Sequence, residues 1–197
     1  MTERGMIFNG EMVRALLSGR KTQTRRIVKG TDGAVKFCKE WDINGKEVFV
    51  VLGEKDHTGM NPVLGAISCP FGGVGDRIWV RETWARYNID QNSHDIAYRA
   101  TTPADWPEEG RWRPSIHMPR WASRILLEIT DVRVERLKSI SDGDAIREGC
   151  STADMKSGDC VADVFARLWA SIYGSDSWNA NPWVWVIEFK RVEGGAA

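Results

Sequence analysis

Gly19-Arg20-Lys21-Thr22-Gln23-Thr24-Arg25-Arg26 is a junction between two kinds of local structure. Upstream of it, Asn9 suits the N-cap of a short helix that carries Met12, Val13, Leu16 and Leu17 on one face, and Gly19 suits its end. Downstream, Thr22, Thr24 and Ile27 favour extended backbone, so residues 21–28 are predicted to enter the first strand of a barrel-like sheet. In a regular strand, the side chains of Lys21 and Thr24 project from opposite faces because their separation is odd. They share one cleft only if the chain bends where it leaves the helix.

Beyond this junction, residues 30–75 are rich in glycine and turn formers and read as a long insertion with one strand-like run at residues 47–52. Gly75-Asp76 then signals a turn into a strand predicted over residues 77–84. A strand at residues 95–99 and a loop with Trp106, Trp112 and several prolines complete a second insertion, over about residues 87–118. Pro119 suits the first turn of a short helix, and the alternation from Ile125 through Val134 predicts a strand. Ser141 and Asp144 form a capping-box pattern for a helix that runs to Glu148 before Gly149. Val161, Val164, Phe165, Leu168, Trp169 and Ile172 recur at helical spacing, with Gly174 after them. The run from Trp183 to Glu188 is apolar on both faces, which predicts a strand buried from both sides. Residues 193–197 are expected to fray.

The chain has 197 residues, enough for one core with insertions and short for two, so a single domain over 1–197 is expected. Lysine plus arginine and aspartate plus glutamate stand at 27 each, which excludes a uniformly basic nucleic-acid coat. The positive charge is local: Arg4, Arg14, Arg20, Lys21, Arg25, Arg26 and Lys29 face only Glu3 and Glu11 in the first thirty residues. No apolar run is long enough for a membrane span and no signal-peptide core opens the chain, so a cytoplasmic protein is expected. Cys38, Cys69, Cys150 and Cys160 lack metal-ligand spacing with one another or with His57, His94 and His117, so they are expected as free thiols with no metal. Of the ten tryptophans, Trp79, Trp169, Trp183 and Trp185 fall in periodic segments and are assigned to the core. Trp84, Trp106, Trp112, Trp121 and Trp178 lie nearer element ends, where one or two could stack on a base.

The stretch from Gly19 to Arg26 resembles the signature of ASCH domains, in which a glycine, a fixed lysine and a downstream threonine or acid with arginine line a cleft. Gly75-Asp76-Arg77-Ile78-Trp79-Val80, Ile129-Thr130-Asp131-Val132 and the closing run from Val184 to Lys190 resemble further family segments in the same order. The Asn181-Pro182-Trp183-Val184-Trp185 ending is similar to ASCH proteins carried by bacteriophages and prophages. The resemblance implies an α+β fold, a PUA-like mixed β-barrel with a few flanking helices. It also implies hydrolysis of the amide in cytidine acetylated on its exocyclic amine, with Lys21, Thr24 and Glu148 as the catalytic set and no cofactor. Arg20, Arg25, Arg26 and Glu82 are assigned to substrate binding.

Amide hydrolysis needs an activated nucleophile, stabilisation of the tetrahedral intermediate and a proton for the departing amine. A lysine desolvated in a cleft can act as base toward the Thr24 hydroxyl or a water, and Glu148 can orient the ammonium or return a proton. Alanine substitutions at the three positions are expected to lower turnover with little loss of stability. Two other readings use the same residues. One is a non-catalytic reader of RNA or of a modified base, with Arg14, Arg20, Arg25 and Arg26 along a groove. The other is a phage interaction protein in which an insertion fills the cleft.

Overall fold

The computed structural model describes residues 1–86 and 95–192. Over these residues the chain is a mixed α+β protein with several sheets and few helices. The predicted fraying at 193–197 and the first residues of the second insertion, 87–94, lie outside the described residues.

The main sheet has five strands in the order β1-β6-β9-β10-β2. These are β1 (Glu3–Ile7), β6 (Arg77–Arg81), β9 (Leu126–Arg136), β10 (Trp183–Val192) and β2 (Gln23–Ile27). The first strand is therefore β1, which pairs parallel with β6, and the strand expected after Lys21 is the second. Its signal is weak because only Met6 of β1 is buried, so no apolar alternation shows. β10 lies between β9 and β2, antiparallel to both, as its doubly apolar sequence requires. Trp185, Ile187 and Phe189 join one core with Phe8, Met12, Val13, Leu16 and Val132. Val184 and Val186 join another with Leu137, Ala145, Phe165 and Trp169.

Each core is closed by helices. On the first side stands α1 (Gly10–Leu17), where Asn9 Oδ1 accepts the Met12 N–H at 2.9 Å and Gly19 exits at φ +74°. On the second stand α2 (Asp142–Arg147) and α3 (Val161–Tyr173), followed by the short α4 (Ser175–Asn179). The capping box of α2 is complete: Ser141 and Asp144 exchange side-chain and backbone hydrogen bonds. Asp142 also accepts the Ala162 N–H at 2.9 Å, so the start of α2 helps to cap α3.

Residues 30–75 hold more structure than the one strand expected. β3 (Lys36–Trp41), β4 (Glu47–Leu52) and β5 (Val63–Ile67) form a separate antiparallel sheet. It docks on the first core through Phe49, edge-on to Trp185 at 5.0 Å, and Phe37, edge-on to Trp183 at 4.9 Å. The strand predicted over residues 77–84 breaks after Arg81, and Trp84 begins β7 (Trp84–Arg86), which pairs with β8 (Ile96–Tyr98). The short helix expected after Pro119 is a single 3-10 turn at Arg120–Ala122.

Among the described residues, no backbone hydrogen bonds join the two edge strands of the main sheet, β1 and β2, to each other. A side chain links them instead: Arg26 on β2 donates from Nη2 to the Ile7 carbonyl at 3.0 Å. No helix among the described residues is long and apolar enough to cross a membrane.

Candidate functional site

The link between α1 and β2 is fixed by three backbone bonds to three elements. Lys21 donates its N–H to Ala15 of α1 at 3.0 Å, and Thr22 donates to Arg147 of α2 at 2.8 Å. The Thr22 carbonyl accepts from Phe189 of β10 at 2.9 Å. Lys21 thus sits in a bend ahead of the regular strand, which begins at Gln23.

Glu148 approaches from the other direction as the C-cap of α2. Gly149 follows at φ +98°, and a Cβ there would lie 2.9 Å from Ala15 Cβ and 3.4 Å from Lys21 Cβ. Glycine is needed at this position both for its backbone angle and for the close approach of α1 and Lys21. The Lys21 ammonium then donates to Glu148 Oε2 and to the Glu148 carbonyl, each at 2.8 Å. The two side chains are 0% and 2% exposed. Burial pulls the Lys21 pKa below its ordinary value, although the neighbouring Glu148 carboxylate works in the opposite direction.

Arg25 projects to this same side of β2, paired across the sheet with Val186. It donates to Glu148 Oε1 at 3.1 Å and forms longer ion pairs with Glu135 at 3.4 Å and Asp144 at 3.5 Å. Burial raises the Asp144 carboxyl, but bonds from Ser141 and Arg147 and the charge of Arg25 outweigh it and hold the pKa at about 2. Arg25 is therefore a buried counter-ion rather than a free substrate donor. Gln23 is fully buried beside it and donates to the Asp144 carbonyl at 3.0 Å. Gln23 Oε1 and Arg25 Nε are buried with no hydrogen-bond partner.

Thr24 lies on the opposite face of β2, beside Ile187. It is fully buried, and its hydroxyl accepts from Arg26 Nη1 at 2.9 Å. Among the described residues it makes no hydrogen bond to Lys21 or Glu148. The Phe8 ring centroid is 6.0 Å from the Lys21 ammonium and 5.3 Å from the guanidinium of Arg26, the donor to Thr24. The bend thus joins Lys21 to Glu148 and leaves Thr24 one layer away.

Arg20 is exposed and donates to the Gly149 carbonyl at 3.3 Å. It borders a cavity of about 430 Å³ between α1 and α3, together with Arg14, Glu148, Asp154 and Arg167. No residue of the 30–75 insertion lines this cavity. Glu82 belongs elsewhere: its buried carboxylate is held at 2.9 Å through both oxygens by Arg124, whose guanidinium stacks on Tyr98. Trp84, read as a stacking candidate, is only 2% exposed and packs with Met118 and Ala122. Trp106 and Trp112 stack on each other at 4.1 Å, while Trp121 is exposed.

Glu135 was not singled out by sequence reasoning, and Asp144 was read only as a helix-capping residue. The signal that finds Glu135 is the alternation Asp131, Arg133, Glu135 along β9, which puts a charged row on one face of a half-buried strand. Compared with protein-family models, with curated proteins and with solved structures, the chain gives no match.

Proposed function

We propose that this chain is an ASCH-type amidohydrolase acting on a pyrimidine nucleoside acylated on its exocyclic amine, and that its main sheet is a PUA-like barrel left open between β1 and β2. The observation that carries the reading is the 2.8 Å contact between Lys21 and Glu148, groups 127 positions apart in sequence. They meet behind a cavity of about 430 Å³ that Glu148 lines and Lys21 does not, and its volume is within the usual size range for small-ligand sites.

Burial weakens Lys21's hold on its proton, the direction that suits a general base. In the proposed step this amine takes a proton from a water that attacks the acyl carbon, and Glu148 stabilises the ammonium that forms. The same proton passes to the exocyclic nitrogen as the C–N bond breaks, giving the carboxylic acid and the free cytidine. Thr24 is held by Arg26, whose guanidinium lies 5.3 Å from the Phe8 ring, and acts in this reading by positioning Arg26. The same reading places the protein in a reducing cytoplasm, where its free cysteines stay thiols.

Closure of the site favours a second reading. Lys21, Thr24 and Glu148 are all nearly inaccessible and the Thr24 hydroxyl is occupied, which suits a non-catalytic reader of RNA or of a modified base. The interaction-protein reading needs an insertion in the cleft, and residues 30–75 leave the cavity beside Glu148 unlined.

Chromatography of cytidine released from acetylated cytidine, free and within a short RNA, separates these readings. The hydrolase reading expects release by the native chain and a loss of about a hundredfold or more in folded Lys21→Met and Glu148→Gln. Retained RNA binding with no release from either substrate would replace the hydrolase with the reader.

A further inference from the structure

A second cavity, of about 450 Å³, opens on the Thr24 side of Phe8, where Arg26 and Arg81 meet α3 at Tyr173. Met12 of α1 borders both this cavity and the one beside Glu148. Its lining contains two arginines and no acidic residue. Among the described residues, neither arginine has a carboxylate within ion-pair distance.

Arg81 is held in place but not neutralised. Its guanidinium lies over the Trp79 ring at 4.6 Å, and its buried Nε has no hydrogen-bond partner. The absent side chain of Gly5 creates the slot: a Cβ there would stand 2.8 Å from Arg81 Nε and 2.7 Å from Trp79 Cζ2. Arg26 is anchored by its bonds to Thr24, Ile7 and the Arg25 carbonyl, none of which uses its Nε. Two half-buried arginines thus line one concavity that holds no acidic residue, and an anion that accepts from both is favoured there. The planar guanidinium fork matches a tetrahedral oxyanion.

We propose that this cavity binds the phosphate group of a nucleotide, with Arg81 and Arg26 as its donors. The proposal goes beyond the hydrolase reading and stands on different residues from the Lys21–Glu148 pair. It requires no chemistry at Lys21, because binding alone tests it.

Titration calorimetry of the whole chain with cytidine, cytidine monophosphate and inorganic phosphate provides the test. The monophosphate and inorganic phosphate are expected to bind, with the monophosphate tighter than cytidine. Arg81→Gln is expected to lower the affinity for both phosphates by about tenfold or more. Arg81→Lys, which keeps the charge without the stacked fork, is expected to fall between them, and Gly5→Ala to weaken binding by displacing Arg81. Lys55→Gln, an exposed cation on the insertion, is the charge-matched control and is expected to bind as the native chain does. Circular dichroism confirms that each variant is folded before its affinity is read. Phosphate affinity in Arg81→Gln equal to that of the native and Lys55→Gln proteins would overturn the proposal. So would a monophosphate that binds no tighter than cytidine. Retained phosphate binding without acetylcytidine hydrolysis would sink the hydrolase alone.

Discussion

Removing Lys21 and removing Glu148 have unequal consequences, because their remaining partners differ. Without Lys21, Glu148 keeps Arg25 at 3.1 Å. Without Glu148, Lys21 loses its one carboxylate partner among the described residues and stays buried. Breaking a buried ion pair from one side typically costs about 3–5 kcal/mol, so Glu148→Gln is expected in that range and Lys21→Met at least about 1 kcal/mol below it. Urea denaturation at neutral pH checks the order, and equal losses would mean that Arg25 does not support Glu148. This replaces the expectation of little stability loss, which treated the pair as a cleft surface. The pH dependence has a definite sign. The folded-state pKa of Lys21 lies below its ordinary 10.5, so between the two values the unfolded chain binds more protons and stability rises with pH. In Glu148→Gln the folded value falls further, so its deficit should shrink as pH rises toward 10.5. The pairing itself was legible only through the family resemblance, since no local pattern connects positions 127 apart. The burial of Arg25 was not legible because its neighbour Arg26 points to the opposite face, and a two-residue basic run does not say which member is buried.

α3 buries Val161, Val164, Phe165 and Trp169, of which Trp169 is the largest. Trp169 is 2% exposed, packs against Phe165 and Tyr173, and donates from Nε1 to Ser177 Oγ at 3.1 Å. Trp169→Ala should cost about 3–5 kcal/mol, the usual range for emptying a large aromatic site. Ser177→Ala, which removes only the acceptor, should cost about 1–2 kcal/mol. A denaturation midpoint unchanged by the first substitution would place α3 outside the cooperative core. α1, α2 and α3 were legible from sequence because caps and glycine stops bracket them: Asn9 with Gly19, Ser141 with Gly149, and Gly174 after Tyr173; the five-residue α4 was not read. Strands were legible where apolar residues fill one face or both, as in β4, β9 and β10. β1, β3 and β5 escaped because they are largely exposed, and pairing rather than composition makes them strands.

Phe49 ties the inserted sheet to the rest of the molecule, since it is buried in the same cluster as Met12, Ile78 and Trp185. Phe49→Ala should cost about 3–5 kcal/mol, and fluorescence and circular dichroism should still report one coincident transition. Two separated transitions would show that residues 30–75 fold as a unit of their own. The sequence composition suggested one core with insertions; the main sheet instead carries a cluster on each face, and composition did not indicate the second sheet that packs on one of them. A last consequence follows from Arg26 and its bond to the Ile7 carbonyl. Unpaired strand edges are templates on which another chain can add a strand. β1 and β2 are the two outer edges of the main sheet, and the guanidinium that spans them puts a charge and an obstructing side chain where a neighbouring molecule would dock. The residue that furnishes the cavity with a cation therefore also takes up one carbonyl of an edge otherwise open to strand addition.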